Sequence, residues 1–204
     1  MSATRLLVIG VVRIMQPAHG YLIRQELLSW SVETWANIAP GSIYSALKTL
    51  RNDGYLTQCD SEPNGNRPGR TAYRLTKQGE AEFFRLLREH LWTVGLDPAA
   101  LMAALSFMWE LPRQEVLDAL ENRLVQLDSR IKAGTGGADL ALKNPDIPNH
   151  VREMFLVSNS RFRGELTWTR AAIKRIRSGS YTYDGEQRDW VPASAAGTKE
   201  VDID

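Results

Sequence analysis

The stretch "APGSIYSALKTLRNDGYL", residues 39–56, reads as a helix with one face built for an interior and another left outside. At 100° per residue, Ile43, Ala46, Leu47 and Leu50 fall within about 100° of one another. Ser45, Lys48, Thr49 and Asn52 lie opposite, with Tyr44 and Arg51 on the flanks. Pro40-Gly41-Ser42 supplies a start: Pro restricts the chain before the helix, and the Ser42 hydroxyl is placed to cap an orphan amide. Asp53-Gly54 is a natural stop. The outward face holds hydroxyls, an amide, a cation and a phenol, and no carboxylate until Asp53. A solvated helix face usually mixes both signs of charge. This one suits approach to a polyanion, and Ser, Asn and Lys side chains also read base edges. Taken alone, the segment is also compatible with a surface helix that happens to lack acids.

The flanking sequence narrows the choice. Residues 4–15, TRLLVIGVVRIM, are apolar around most of a helix circumference, as in a buried helix. QPAHG breaks that helix, with His19 as the starting residue of the next. That second helix carries Tyr21, Leu22, Ile23, Leu27 and Leu28 and stops before a Trp35–Pro40 loop, which makes the quoted helix the third. After Gly54, YLTQCDS alternates with period 2, Leu56 and Gln58 against Tyr55, Thr57 and Cys59. TAYRLT (71–76) alternates again, Ala72, Arg74 and Thr76 against Tyr73 and Leu75. Between them, EPNGNRPGR holds an Asn64-Gly65 turn and two cations, Arg67 and Arg70, against one acid, Glu62. Thr76 then caps a helix over 77–93 with Phe83, Phe84, Leu87 and Leu91 on one side.

Three helices followed by a basic-tipped hairpin make a winged helix-turn-helix. Its third helix reads the major groove, and its loop is the wing lying over adjacent backbone or minor groove. The expected contacts to double-stranded DNA are Ser42, Tyr44, Ser45, Lys48, Thr49, Arg51, Asn52, Arg67 and Arg70.

HGYLIRQEL (19–27), PGSIYSALKTLRNDGYL (40–56) and GRTAYRLTKQG (69–79) also resemble the PadR family of bacterial transcriptional regulators, over residues 5–92. The most specific elements are Gly41-Ser42-Ile43-Tyr44 with Ala46-Leu47, and the later Leu75-Thr76-x-x-Gly79. The resemblance implies that Tyr44, Ser45 and Lys48 face DNA and that the Arg67/Arg70 loop is the wing. It also implies a homodimer that represses at a promoter inverted repeat and is released by a small molecule. The family's longer members add a helical dimerisation domain after the winged helix.

The rear half fits such an addition. Residues 98–110 hold Leu101, Leu105 and Met108 on one line, and 113–133 repeat Val116, Leu117, Leu120, Leu124, Leu127 and Ile131 at 3–4 spacing. Gly134, Gly136, Gly137, Pro145 and Pro148 break the pattern before a longer helix over 149–177. Two long amphipathic helices with little else to cover them call for a symmetric partner. The expected dimerisation residues are Leu120, Leu124, Leu127, Phe155, Phe162, Leu166 and Ile173. An intramolecular three-helix bundle is the competing arrangement. The fold class is therefore mainly α: a winged helix-turn-helix domain over 1–93, a helical dimerisation and effector domain over 94–178, and a flexible tail over 179–204, with Tyr181, Tyr183 and Trp190 unusually aromatic for a tail.

Composition excludes much else. The 204 residues carry a net charge of +1, split between 11 Lys+Arg against 8 Asp+Glu in 1–92 and 14 against 16 in 93–204. A mildly basic front joined to a mildly acidic rear fits a binding module with an appended domain. No apolar run approaches the roughly 18 residues that span a bilayer, and the N-terminus reads as a helix start rather than a signal peptide. One cysteine, Cys59, excludes an internal disulfide. A cytoplasmic protein without membrane contact is expected. His19, His90 and His150 lie far apart and assemble no metal site with Cys59, and no nucleophile elbow, P-loop or dinucleotide fingerprint is present. No cofactor and no enzyme activity are expected.

Six tryptophans exceed what one small core needs. Trp92, Phe107, Met108 and Trp109, at the join of the two domains, are the candidate pocket for a small aromatic effector, since such pockets are apolar with few polar groups. Ordinary core packing is the plainer role for each. Two rival functions remain: a winged-helix adapter whose Tyr44 face docks a protein, and an enzyme on a helical scaffold.

Overall fold

The structure, a computed structural model, describes residues 3–60 and 71–187. Helix α1 (Ala3–Met15) has every residue from Leu6 to Val12 buried, so it must be covered on all sides. It packs against α2 (Gly20–Ser29), α4 (Pro40–Asn52), α6 (Pro98–Leu105) and strand β3 (Thr71–Leu75). Between α1 and α2 lies a two-residue strand, β1 (Ala18–His19), which the sequence does not announce because two residues have no period. His19 does precede α2 in extended conformation, and its strand character comes from pairing with β3, Ala18 opposite Tyr73 and His19 opposite Ala72. The second helix ends at Ser29, short of the Trp35–Pro40 loop, and Val32–Trp35 forms a separate one-turn helix, α3. The reading helix is therefore the fourth.

Helix α4 starts at Pro40, with Ala39 as its cap residue and no side-chain cap. The expected capping by Ser42 is not made. Proline at the first position already lacks one orphan donor and fixes φ for the turn, which leaves Ser42 exposed inside the first turn. The stop is as expected. Gly54 takes φ +79°, and its N–H reaches Arg51 O at 3.0 Å while Tyr55 N–H reaches Leu50 O at 2.9 Å, the paired closure of a Schellman end. Strand β2 (Leu56–Asp60) pairs antiparallel with β3, giving sheet order β1-β3-β2 with Gln58 opposite Tyr73. Thr76 begins α5 (Lys77–Trp92) as expected: its Oγ1 accepts Gly79 N–H at 3.0 Å and donates to Gly54 O at 2.7 Å.

The chain divides into two units, and the division is not the one at residues 93/94. The winged-helix unit comprises the chain through His90 together with Asp97–Phe107. Asp97 caps α6 by accepting Ala99 N–H at 2.9 Å, and fully buried Phe107 packs on Phe83 (centroids 5.5 Å, edge-on) and Trp30 (5.7 Å). Those aromatic contacts tie α6 to the winged helix.

The second unit comprises Leu91–Leu96 and Met108–Glu186. It is an antiparallel hairpin of α7 (Arg113–Lys143) and α8 (Val151–Arg177). The expected break at Gly134–Gly137 does not occur, and α7 runs ten residues further to Lys143. A Cβ at Gly134 would lie 2.2 Å from Asn159 Oδ1, and one at Gly137 would lie 2.5 Å from Phe155 Cε1. These glycines let α8 approach closely and do not end the helix; Asn144-Pro145 does that. Val94, Leu127, Phe162 and Leu166 form a buried cluster with Leu124 and Ile131 against it. At its edge, Arg123, 1% exposed, donates to Leu91 O (2.9 Å) and Thr93 O (2.7 Å) and pairs with Glu165.

Two expectations about this unit need correction. Leu120, Leu127, Phe162, Leu166 and Ile173 are buried within one chain, and Leu124 and Phe155 are half-buried. The seams of the two helices face each other, so the five buried residues are already covered within one chain and do not need a second copy to cover them. The tail also begins later than residue 179. Arg113 grips Glu186 through two bonds of 2.7 Å, donates to Ile176 O and Tyr181 O, and lies 4.7 Å over the ring of Tyr183, which is 1% exposed. Trp190 lies outside the described residues.

Candidate nucleic-acid interface

Burial along α4 separates its two faces. Ile43, Leu47 and Leu50 are at most 1% exposed, while Ser42, Tyr44, Ser45, Lys48, Thr49 and Asn52 are exposed, Tyr44 by 47%. Arg51 is half-buried, as its flanking position implies. Opposite the apolar stripe stand Ser45, Lys48, Thr49 and Asn52, with Tyr44 on the flank. Ser42, Ser45 and Thr49 also border a groove of about 760 Å³ that α4 shares with Thr4 and Arg5 of α1.

The ridge has a definite hydrogen-bonding character. Ser45 donates to Gly41 O (3.2 Å) and Thr49 to Ser45 O (3.0 Å), so both hydroxyl protons are engaged along the helix and their oxygens face outward as acceptors. Asn52 Oδ1 accepts from Arg51 Nη2 at 3.2 Å, which leaves the Asn52 amide N–H groups as outward donors. Among the described residues Lys48 makes no ion pair, so its ammonium is open to an anion. The one acid at the end of the ridge is neutralised, because Asp53 accepts Arg5 Nη2 at 2.9 Å. Arg5 also lies 5.0 Å over the Tyr55 ring. Sequence reading misses Arg5, since 48 residues separate it from Asp53 and neither periodicity nor composition links them. It also passes over Tyr21. That side chain is 46% exposed and stacks on His19 at 5.9 Å, next to Gly20, over which Tyr44 lies. The wing residues Arg67 and Arg70 lie outside the described residues.

An exposed helix of acceptors, donors and one open cation, following three helices and preceding an antiparallel hairpin, stands where a winged helix-turn-helix carries its reading helix. Residues 8–85 match the family model of the transcriptional regulator PadR-like family. The match lies over the winged-helix residues that carry α4, and that segment is similar to the PadR-like family. Solved structures similar to this chain include Bacillus subtilis PadR in complex with operator DNA, at 22% identity over 86% of this chain and 98% of that one, TM-score 0.39. They also include smu.1604c from Streptococcus mutans UA159, at 17% identity over 87% and 98%, TM-score 0.38. A third is Bacillus subtilis PadR in complex with p-coumaric acid, at 19% identity over 87% and 98%, TM-score 0.33. No curated protein matches the chain.

The four residues expected to line an effector pocket divide between the two units. Phe107 belongs to the winged-helix unit and is fully buried between Phe83 and Trp30, so its ring is core and is not open to a ligand. Trp92, Met108 and Trp109 are half-buried in the hairpin unit. The Trp92 carbonyl is held by Gln126 Nε2 at 2.8 Å and Asn122 Nδ2 at 3.4 Å. Among the described residues no group of three or more His, Cys, Asp or Glu side chains is placed to hold a metal ion, and no helix is long and apolar enough to cross a membrane.

Proposed function

We propose that this PadR-like regulator is a cytoplasmic homodimeric repressor that lays α4 into the major groove at each half of a promoter inverted repeat. The observation that carries the reading is the α4 ridge itself: Lys48 free of ion pairs among the described residues, Asp53 paired with Arg5, and Ser45, Thr49 and Asn52 offering acceptors and donors to base edges. Half-sites one helical turn apart, about 10 bp, or a multiple of that, follow from two-fold symmetry. The face that suits a second copy is the outer side of α8. Met154 and Val157 are 65% and 60% exposed, and with Arg161, Gly164 and Trp168 they recur at 3–4 spacing. Gly164 supports this choice. A Cβ there would meet nothing within 4 Å, so the chain itself makes no use of a residue that costs about 1 kcal/mol against Ala in mid-helix. Close approach of a partner helix would use it. Release follows when a small aromatic effector, bound near Trp92, Met108 and Trp109, favours a conformation whose two reading heads no longer match the operator repeat.

Sequencing the genomic fragments that the purified protein selects tests the reading. The expected result is an inverted repeat that includes the protein's own promoter, with binding lost steeply as salt rises. No selection of any fragment at low ionic strength overturns it. Val157→Glu is expected to give monomers in analytical ultracentrifugation; an unchanged dimer removes the α8 face from the account.

A further inference from the structure

A helix that enters the major groove meets both of the sugar–phosphate strands that wall it. An α-helix with its side chains is about 10–12 Å across, and the major groove is about 12 Å wide, so neither flank of such a helix stays clear of a strand. On one flank of α4, Tyr44 lies beside Gly20 at the start of α2. On the other, α4 and α1 leave the open groove of about 760 Å³. Thr4 and Arg5 line it from α1, and Ser42, Ser45, Ala46 and Thr49 from α4.

The make-up of that groove suits a polyanion. Among the described residues no carboxylate lines it. Its α4 wall consists of small side chains, and a Cβ at Gly41 would meet nothing within 4 Å, so a bulky backbone can come close. Ser45 and Thr49 belong to the outward ridge and to the groove alike, which makes the groove a continuation of the reading face. The groove also runs along α4, as a strand beside a helix in the major groove does.

Arg5 is the cation of the groove. Its side chain is 24% exposed and passes the Thr49 end, because Nη2 reaches Asp53, one helical turn beyond Thr49, at 2.9 Å. Nε lies 3.5 Å from Glu82 Oε1, and the guanidinium sits 5.0 Å over the Tyr55 ring. The side chain is therefore held in place before any ligand arrives. A guanidinium has several N–H donors in a planar fork, and the hydrogen bond to Asp53 uses one of them. A carboxylate on one edge leaves another edge for a phosphate oxygen. We propose that one strand of the DNA backbone lies in the α1–α4 groove, with Arg5 donating to a phosphate at one end and the exposed Ser42 hydroxyl donating to another about 16 Å along the helix. Arg5 then has two tasks: it cancels Asp53, and it holds the strand. The proposal rests on the reading of α4 as a groove-binding helix and adds α1, which that reading leaves out.

The test measures binding of the full-length protein to a random-sequence duplex of about 30 bp by fluorescence anisotropy over a salt series, since phosphate contacts act on any sequence. Arg5→Gln and Asp53→Asn are combined in a double-mutant cycle. If Arg5 did no more than cancel Asp53, Arg5→Gln would be harmless once residue 53 carries no charge. The expected result is a loss of about tenfold at about 0.1 M salt in the Asp53→Asn background too, with a salt slope lower by about 0.9 per protomer. Thr4→Glu sets a carboxylate in the strand's path from α1, away from the reading helix, and is expected to weaken binding by a similar factor relative to Thr4→Gln, which has the same shape without the charge. Thermal melts check that each variant is folded, and Thr4→Glu decides the matter should Arg5→Gln unfold. The strand seat is overturned if folded Arg5→Gln in the Asp53→Asn background binds like its parent, or if Thr4→Glu binds like Thr4→Gln, even while Lys48→Ala still weakens binding and so upholds α4. No binding by the unchanged protein overturns both readings.

Discussion

Alanine substitution at three glycines within four residues of α7 separates two accounts of that segment. If Gly134, Gly136 and Gly137 were helix-weakening residues and nothing more, each replacement would add about 1 kcal/mol of stability, the propensity difference between Gly and Ala. The packing gives a different answer at each site. A Cβ at Gly136 meets nothing within 4 Å, so Gly136→Ala should stabilise by nearly the full 1 kcal/mol. At Gly134 the new methyl would lie 2.2 Å from Asn159 Oδ1 and 2.9 Å from Cγ, and Asn159 cannot retreat without giving up its bonds to Ile131 O and Thr135 Oγ1. Overpacking costs about 1–3 kcal/mol, and the two strained bonds about 1 kcal/mol each at most. Against a propensity gain of about 1 kcal/mol, the net ranges from no gain to a loss of roughly 4 kcal/mol. Gly137→Ala presses on three atoms of the Phe155 ring at 2.5–3.0 Å and should lose a similar amount. Urea unfolding of the full-length variants, followed by far-UV circular dichroism, measures all three. In thermal melts, each kcal/mol corresponds to about 2–4 °C for a chain of this size. Gly134→Ala stabilising as much as Gly136→Ala would falsify the close-approach argument, and the hairpin geometry with it.

Other predictions concern the reading helix, pH and the docked segment after α8. Lys48→Ala should weaken DNA binding nearly equally across sequences and lower the salt slope by about 1. Asn52→Ala or Ser45→Ala should cost about 1–3 kcal/mol on the selected repeat and less on unrelated DNA; gel shifts over a salt series that find a uniform loss for all three would remove base readout from these residues. His90 is 5% exposed, and burial first of all pushes its imidazole below the ordinary 6.5. The folded chain then holds fewer protons than the unfolded one just below that pH. Stability should therefore fall as pH drops through about 6.5, and His90→Phe should flatten the dependence in denaturation between pH 7.5 and 5; an unaltered slope would assign the effect elsewhere. The Tyr183 hydroxyl is buried without a partner, and burial, the largest cause, pushes its pKa up to about 12. Tyr183→Phe keeps the ring beneath Arg113 and removes the unmet hydroxyl, so it should stabilise by about 1 kcal/mol. Tyr183→Ala should cost about 3 kcal/mol or more; a destabilising Tyr183→Phe would mean that the hydroxyl is bonded.

The winged helix was legible because its information is local. A helix half-buried on a fixed partner leaves a 3.6-residue trace, which is why Ile43, Leu47 and Leu50 and the outward ridge could be assigned from residues 39–56 alone. The Gly54 stop and the Thr76 cap were legible for the same reason, since each uses backbone groups within a few residues of itself. What escaped depends on residues distant in the chain. Gly134 and Gly137 look like breakers until Asn159 and Phe155 arrive against them. The seam from Leu120 to Ile173 was correctly found as apolar, but a periodic stripe does not say whether its cover comes from the same chain or another. Phe107 was drawn into a pocket by its neighbours in sequence, and Phe83 and Trp30 claim it in space. Arg5 neutralises Asp53 across 48 residues, and Arg113 closes a clasp on Glu186 across 73. The sequence alone determined that α4 turns one face inward and leaves a polar face, with no acid before Asp53, outside. Tertiary packing decided that the helix presents no unpaired acid, and which apolar faces remain for a second copy, because pairing and cover are settled only when distant segments meet.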